Sequence, residues 1–352
     1  MRGLLKAYGI NRVYVLGAGF SAPLGLPLTS RLLQLVHEVA ATKPWFGDGG
    51  KPFPNGQADW LLEELQWYFP TERIDHAGIA RGELPQGFDI ERFLSYVAAT
   101  SAFQFKTGER WNEHGDKFTA FLKTWLAEVI VNHQVRATHS IPTYYREFAR
   151  SLPGSLVLTF NWDTVLESIL DQERIAFTFD LPSAYQNGKV PIIKLHGSID
   201  WFSKPSAEQT RPWMRFDHLS KSFEGCYRAQ GNPLRYYEQF LTPWIVMPSY
   251  DKVSQILALG DLWQLPWIYL QDELQVSVIG FSMRSDDFHS RAFLYPQFVQ
   301  GTRDRSLTVK VVDLAADDSQ RHMVAQRFHG VENCQFHYSG FSSDALRFLA
   351  AS

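Results

Sequence analysis

Two cysteines in 352 residues, Cys226 and Cys334, are too few for a disulfide framework and by themselves too few for a four-ligand zinc site. The chain is therefore expected to be cytoplasmic and to need no metal. No apolar run reaches the roughly 18 residues of a membrane span, and Met1-Arg2-Gly3 is not followed by the apolar core of an export signal. Charge is nearly balanced, 34 basic against 37 acidic residues for a net −3. That balance excludes a global bias toward nucleic acid or an anionic membrane, so no direct nucleic-acid binding is expected and any charged surface must be local. Internal repeats and low-complexity segments are missing too. What the chain has is apolar and aromatic mass, 45% and 14% of its residues. This suffices for a large core in one big domain or two ordinary ones.

The organising stretch is Val13-Tyr14-Val15-Leu16-Gly17-Ala18-Gly19-Phe20-Ser21-Ala22, an apolar run that stops at two glycines one residue apart. It predicts a strand ending in a tight turn, where glycine permits positive φ and lets a ligand approach backbone amides. Leu32, Leu33, Val36, Val39 and Ala40 then recur at helical spacing. The order strand, glycine loop, helix places N-terminal amides where a phosphate would sit. Gly17, Gly19 and Ala22 match the dinucleotide fingerprint G-x-G-x-x-A, a weak motif that a purely structural turn also satisfies. A dehydrogenase is disfavoured. The ribose-binding acid expected about 20 residues on, at the end of a second strand, has no counterpart except Glu38, inside the helix.

Further along, 43–52 is dense in breakers and reads as a loop. From Ala58 to about Arg150 the spacing is helical, with Asp89 and Gly115-Asp116 opening two of the helices. The aromatics there read as core. Strand signals return at Leu156–Phe160, followed by Asn161-Trp162-Asp163-Thr164, and at Ile192–Leu195, followed by His196-Gly197-Ser198. Others are at Trp244–Pro248, Val276–Ser282 and Leu307–Val312, and a closing helix, strand and helix fill 319–352. The alternation predicts an α/β fold: a Rossmann-like, doubly wound, mainly parallel sheet with an all-helical insertion over 43–150. Ligands of such sheets bind beyond the strands' carboxyl ends, so Gly17, Asn161 and His196 should converge on one crevice. Each also has a plain structural use, Asn161 and Asp163 as helix caps and His196 as a turn residue. Residues 200–243, poor in periodicity, read as a long loop or small subdomain closing over that crevice. Asp286-Asp287 with His289 and Asp317-Asp318 with His322 suit helix caps better than metal ligands.

Taken together, Gly17-Ala18-Gly19-Phe20-Ser21 with Gly25-Leu26-Pro27, Thr159-Phe160-Asn161-Trp162-Asp163, Lys194-Leu195-His196-Gly197-Ser198 and Gly280-Phe281-Ser282 follow the motif order of the sirtuin superfamily. They most resemble its bacterial antiphage-defence branch, over residues 13 to about 315 of what would be a single catalytic domain. The resemblance implies NAD as substrate, with Ala18, Gly19, Ser21 and Ser282 at its phosphates and Asn161 and Asp163 at the nicotinamide ribose. It implies His196 as the catalytic histidine, Gly17, Phe20 and Gly280 as part of the binding loops, and Asp313 near the adenine-side ribose.

Departures from the family pattern narrow the activity. Deacylases of the family follow their Gly-Ile-Pro turn with Asp-Phe-Arg, whereas Pro27 here is followed by Leu28-Thr29-Ser30. Their Gln-Asn pair is Phe160-Asn161, and the four-cysteine zinc module is missing. What the resemblance retains is NAD binding and nicotinamide cleavage, as in NAD hydrolases that drain the cofactor during infection. A deacylase or ADP-ribosyltransferase, and a nucleotide-sensing module without turnover, stay open as alternatives. Such a hydrolase must be restrained, and no length is left in the motif-bearing chain for a sensor domain. Control is expected through a homo-oligomer or a separately encoded sensor, such as a HerA-like ATPase or an Argonaute-type protein, with the helical insertion as the contact surface.

Overall fold

The computed structural model describes residues 10–45, 53–85, 87–106, 110–112, 115–179, 188–203, 215–217, 222–224, 226–229, 231–237, 241–250, 252–256, 259, 262–263, 275–284, 287–304 and 307–351. Seven strands form one parallel sheet: β1 (Arg12–Leu16), β2 (Ser155–Thr159), β3 (Phe177–Thr178), β4 (Val190–Lys194), β8 (Gln275–Ile279), β9 (Thr308–Val312) and β10 (Cys334–His337). Their order is β10-β9-β8-β1-β2-β4-β3. The chain runs outward from β1 on one side through β2 and β4, then returns to β8 on the other. The β1/β8 seam, with Val13 opposite Val276 and Leu16 opposite Ile279, is thus the topological switch point.

Strand composition explains the two-sided burial. In β1, Val13 and Val15 face one core while Tyr14 and Leu16 face the other, and Leu156, Leu158 and Val157 split in the same way in β2. A strand apolar on both faces needs helices on both sides. On the first face lie α8 (Phe288–Asp304) and α9 (Asp318–Arg327), through Phe293, Leu294, Phe298 and Val324. On the second lie α6 (Thr143–Arg150), α7 (Val165–Gln172) and α10 (Ser343–Ala350), through Tyr145, Phe148, Ile169 and Leu349. The Rossmann-like α/β architecture expected from the alternation is therefore present.

A third core joins α1 (Leu32–Ala41), α2 (Gln57–Tyr68), α4 (Ile90–Phe103) and the long α5 (Lys117–Ala137), with the short α3 (His76–Arg81) at its edge. Phe93, Phe118 and Trp125 are buried in it, as core aromatics should be. The caps hold as read: Asp89 Oδ1 accepts from Glu91 N at 2.9 Å and Asp116 Oδ1 from Phe118 N at 3.0 Å. Helix α5 serves two layers, with Leu122 and Trp125 in the helical core and Ala127, Ile130 and Val131 against the sheet. The insertion is not wholly helical, since Trp111–Asn112 pairs with Gly115–Asp116 as a small hairpin.

One expectation is corrected. The 243–245 stretch is no parallel strand. It is β7 (Pro243–Ile245) of a separate antiparallel sheet with β5 (Gly197–Ser203) and β6 (Cys226–Arg228). The segment 200–243 begins inside β5, and none of its described residues lines the crevice described below. Among the described residues, no helix is long and apolar enough to cross a membrane.

Candidate active site

The ends of β1 and β8 are fixed by glycine, though not through positive φ at Gly17, whose φ is −124°. A Cβ there would lie 2.6 Å from Gly280 O, and one on Gly19 would lie 2.6 Å from Gly280 Cα. Gly280 itself has φ +61°, and a Cβ on it would lie 2.3 Å from Gly19 C and Phe20 N. The two loops therefore pack backbone on backbone, at a distance no side chain permits. Gly17 N donates to Ile279 O (3.0 Å), Gly19 N to Gly280 O (2.9 Å) and Phe20 N to Gly17 O (2.9 Å). The protein's own carbonyls take these three amides, so the turn's glycines serve the β1/β8 junction before any ligand.

After this turn the expected long helix is delayed. A single turn, Ala18–Ser21, leads into a 3-10 turn at Ala22–Leu24, and Gly25 (φ +88°) closes it before α1 begins at Leu32. Thr29 and Leu32 then border a cleft of about 210 Å³ lying across the carboxyl ends of β1, β2, β4 and β8. Gly17, Ala18, Ser21, Asn161, Asp163, His196, Gly280 and Ser282 all line it. Gly19, Phe20 and Asp313 do not. Phe20 turns into the core against Tyr145 and Phe341, with ring centroids 5.2 and 4.9 Å away. Asp313 bonds the neighbouring Leu314 N at 2.8 Å, and burial raises its pKa.

Asn161 caps nothing. Its Nδ2 reaches from the end of β2 to Gly17 O at 2.9 Å and Ser21 Oγ at 3.3 Å beyond β1, while its own N–H donates to Thr159 Oγ1. Asp163 fits both readings, because its Oδ1 accepts from Val165 N at the start of α7 yet the residue lines the cleft. Burial pushes the Asp163 pKa up, against the opposing pull of Lys194 and of the Val165 amide and Ser21 hydroxyl. Below the cleft floor Lys194, with no exposed side chain, donates to Glu167 Oε1 at 2.8 Å and Asp163 O at 2.6 Å.

His196 sits at the turn after β4. Gly197 (φ +75°) makes that turn possible, since a Cβ there would fall 2.0 Å from Trp244 O. The imidazole packs edge-on to Phe160 at 5.0 Å and near Trp263 at 6.1 Å, while Phe160 stacks on Phe281 at 4.3 Å. Only 8% exposed, His196 has its Nε2 buried without a hydrogen-bond partner. Burial, then the nearby Lys252, lowers its pKa to about 3. It is thus held neutral, not poised near its ordinary value of about 6.5.

Sequence reasoning missed the charges around this ring. Lys252 Nζ meets Asp287 Oδ1 at 2.8 Å, and Arg284 meets Glu91 at 3.3 Å from the start of α4, all four on the cleft wall. Asp287, immediately before α8, accepts from Lys252 as well; Asp286 lies outside the described residues. Asp317, by contrast, does cap α9, accepting from Gln320 N at 2.8 Å. Among the described residues, no cluster of three or more His, Cys, Asp or Glu has the arrangement of a metal site.

Fold and site together define a Rossmann-like α/β protein with a polar cleft at its switch point. No family model and no curated protein matches the chain.

Proposed function

We propose that the chain is an NAD hydrolase of the sirtuin-like, antiphage-defence type, cleaving the bond between nicotinamide and ribose to give nicotinamide and ADP-ribose. The observation that carries this reading is one buried imidazole with an unpartnered Nε2 in a cleft that Asn161 also lines, at the carboxyl edge of the sheet. Buried polar atoms are ordinarily satisfied, so an orphan lining a cleft supports a partner supplied by ligand or solvent. The cleft, about 210 Å³, is smaller than the roughly 300–1,000 Å³ of sites that enclose a drug-sized ligand. A site of that size takes part of a dinucleotide and not the whole of it.

The chemistry asks little of such a site. As the C1′–N bond breaks, its electron pair neutralises the pyridinium nitrogen, so the leaving group needs no general acid. Water attacks the oxocarbenium-like C1′ and gives up one proton, completing ADP-ribose. A neutral His196 can hold that water through its unpartnered Nε2, but with its pKa lowered to about 3 it is too weak a base for the roughly 10²–10⁴-fold that general-base help typically supplies, so positioning carries most of the effect. Asn161, tethered to Gly17 O and Ser21 Oγ, is held to position ribose hydroxyls or the water. Asp163 stands on the same wall.

Incubating the purified protein with NAD while following nicotinamide, ADP-ribose and any modified polypeptide tests this reading against deacylation and ADP-ribosyl transfer. Asn161→Ala and His196→Ala should each remove most of the turnover, and the double variant little more, because residues acting as a unit are non-additive. Near-normal turnover in either single variant overturns the assignment. The reading also carries restraint by assembly, with itself or with a separately encoded sensor. Trp67, Phe103 and Phe105, at 65%, 69% and 70% exposure on the helical insertion, support that surface as the contact.

A further inference from the structure

Outside the cleft, side chains from three helices of the third core form one hydrogen-bonded chain. Asp59 Oδ1 on α2 bonds His76 Nε2 on α3 at 2.8 Å, and His76 Nδ1 meets His37 Nε2 on α1 at 2.9 Å. His37 is only 7% exposed. We propose that Asp59, His76 and His37 are an acid-sensitive joint, which keeps α3 docked while its imidazoles are neutral or share one added proton and releases α3 when a second arrives. Little else holds this helix. It has six residues, Ile79 is its one buried residue, and Gln34 Nε2 of α1 reaches it through Ala80 O at 2.9 Å. A helix of that length does not stand without tertiary contacts.

The proton count follows from what each atom can do. Burial pushes the Asp59 carboxyl up, but bonds from Asn55 Nδ2 (2.9 Å) and Asn55 N (3.0 Å) and from His76 hold it below its ordinary range. An ionised carboxylate only accepts, so His76 Nε2 carries a hydrogen. With both rings neutral, His76 Nδ1 accepts from His37 Nε2–H. One added proton turns this second bond around. His76, now an imidazolium beside a carboxylate, donates from Nδ1, and His37 carries its own hydrogen on Nδ1 instead. A second proton has no place, because both facing nitrogens, 2.9 Å apart, would then be donors on adjacent cations. The surroundings of His37 agree. Burial, then His76, lowers its pKa, against Glu38 on α1 and Asp59 on α2, and among the described residues no group of α5, which also packs on α1, acts on it. Asp75, next to His76, is engaged at the cap of α3 by Gly78 N at 2.7 Å.

The test is nitrogen NMR of histidine-labelled protein, with single variants to assign the rings, together with amide exchange, on the full chain without ligand. In the wild type, as His76 becomes charged, the His37 ring should stay neutral and switch from its Nε2–H to its Nδ1–H tautomer. On further acidification, charge on His37 and loss of α3 should come together. Protection of the Ile79, Gly82 and Glu83 amides, bonded to Asp75 O, Ile79 O and Gly78 O, should fall about tenfold per pH unit while the amides of β2 keep theirs. His37→Gln cannot take the second proton, yet its amide can donate to His76 or accept from it. This variant should keep α3 protected to about one pH unit lower or more. Asp59→Asn should lower the His76 midpoint by about one pH unit or more. If Asp59→Asn fails to fold, the His37 tautomer and His37→Gln decide the matter. A His37 tautomer unmoved while His76 titrates, a His76 ring uncharged until the sheet itself unfolds, a midpoint indifferent to Asp59→Asn, or α3 opening at the same pH in His37→Gln as in the wild type each overturns the proposal.

Discussion

At the ends of β1 and β8 the cleft rim is backbone against backbone, whereas at the ends of β2 and β4 it is buried charge. The first half holds Gly17, Gly19 and Gly280 with their amides already bonded within the protein, and tolerates no added atom. The second holds Asn161, Asp163 and His196 over the sealed Lys194–Glu167 pair, and its difficulty is desolvation, not space. One half fixes where the strands end. The other sets which groups are charged there, and the two should therefore fail in different ways.

The largest expected effect lies in the charged half. Lys194→Met leaves the buried Glu167 without its 2.8 Å partner and should cost about 3–5 kcal/mol, read as the shift in urea midpoint. Pairing it with Glu167→Leu should return most of that loss, because a buried ion pair can give way to apolar residues when both members leave together. A double variant as unstable as the single one would show that desolvation does not govern this half.

Next comes the backbone half. Gly280→Ala combines positive φ with a Cβ 2.3 Å from the Gly19–Phe20 peptide, and should cost about 3 kcal/mol. Gly25 is the matched control, because its φ is +88° but nothing lies within 4 Å of the added Cβ. Gly25→Ala should cost only about 1 kcal/mol. Equal losses at the two positions would mean that close approach adds nothing and that strain alone explains the glycines.

The contrast also explains what the sequence made legible. Glycine has few reasons to interrupt an apolar run, so Gly17 and Gly19 marked the strand end although the reason proved to be the Gly280 backbone and not φ. Apolar runs such as Leu156–Leu158, within a strand buried along its whole length, follow from burial on both faces and made the sheet legible. Pro23, Gly25 and Pro27 delay α1 to Leu32, although the helical period alone carries no mark of where the first turn ends. Pairing partners left no such trace. Glu167 looks like any helical charge until Lys194 is found beneath it, and Lys252 and Asp287 lie in stretches with no period to relate them. Nor does a three-residue run such as Pro243–Ile245 say whether its neighbour is parallel or antiparallel.

The smallest effect is the most diagnostic, because it follows from the charged half alone. His196 has its pKa lowered from about 6.5 when unfolded to about 3 when folded. Between those values the unfolded chain takes up a proton that the folded one refuses. The stability His196 contributes is therefore complete above about pH 6.5 and is lost progressively as pH falls toward 3. Burial raises the pKa of Asp163 and Glu167, so their contribution has the opposite sign and grows on acidification. Comparing the wild type with His196→Gln removes the carboxylates from the difference, since both proteins carry them. Moving from pH 7.5 to 5.5 should destabilise the wild type by about 1 kcal/mol relative to the variant, the linkage for one site titrating only when unfolded. Urea midpoints at the two pH values measure it. Parallel shifts in the two proteins would place a protonatable His196 in the folded state, and with it a charged half far less dry than its neighbours Phe160 and Trp263 make it.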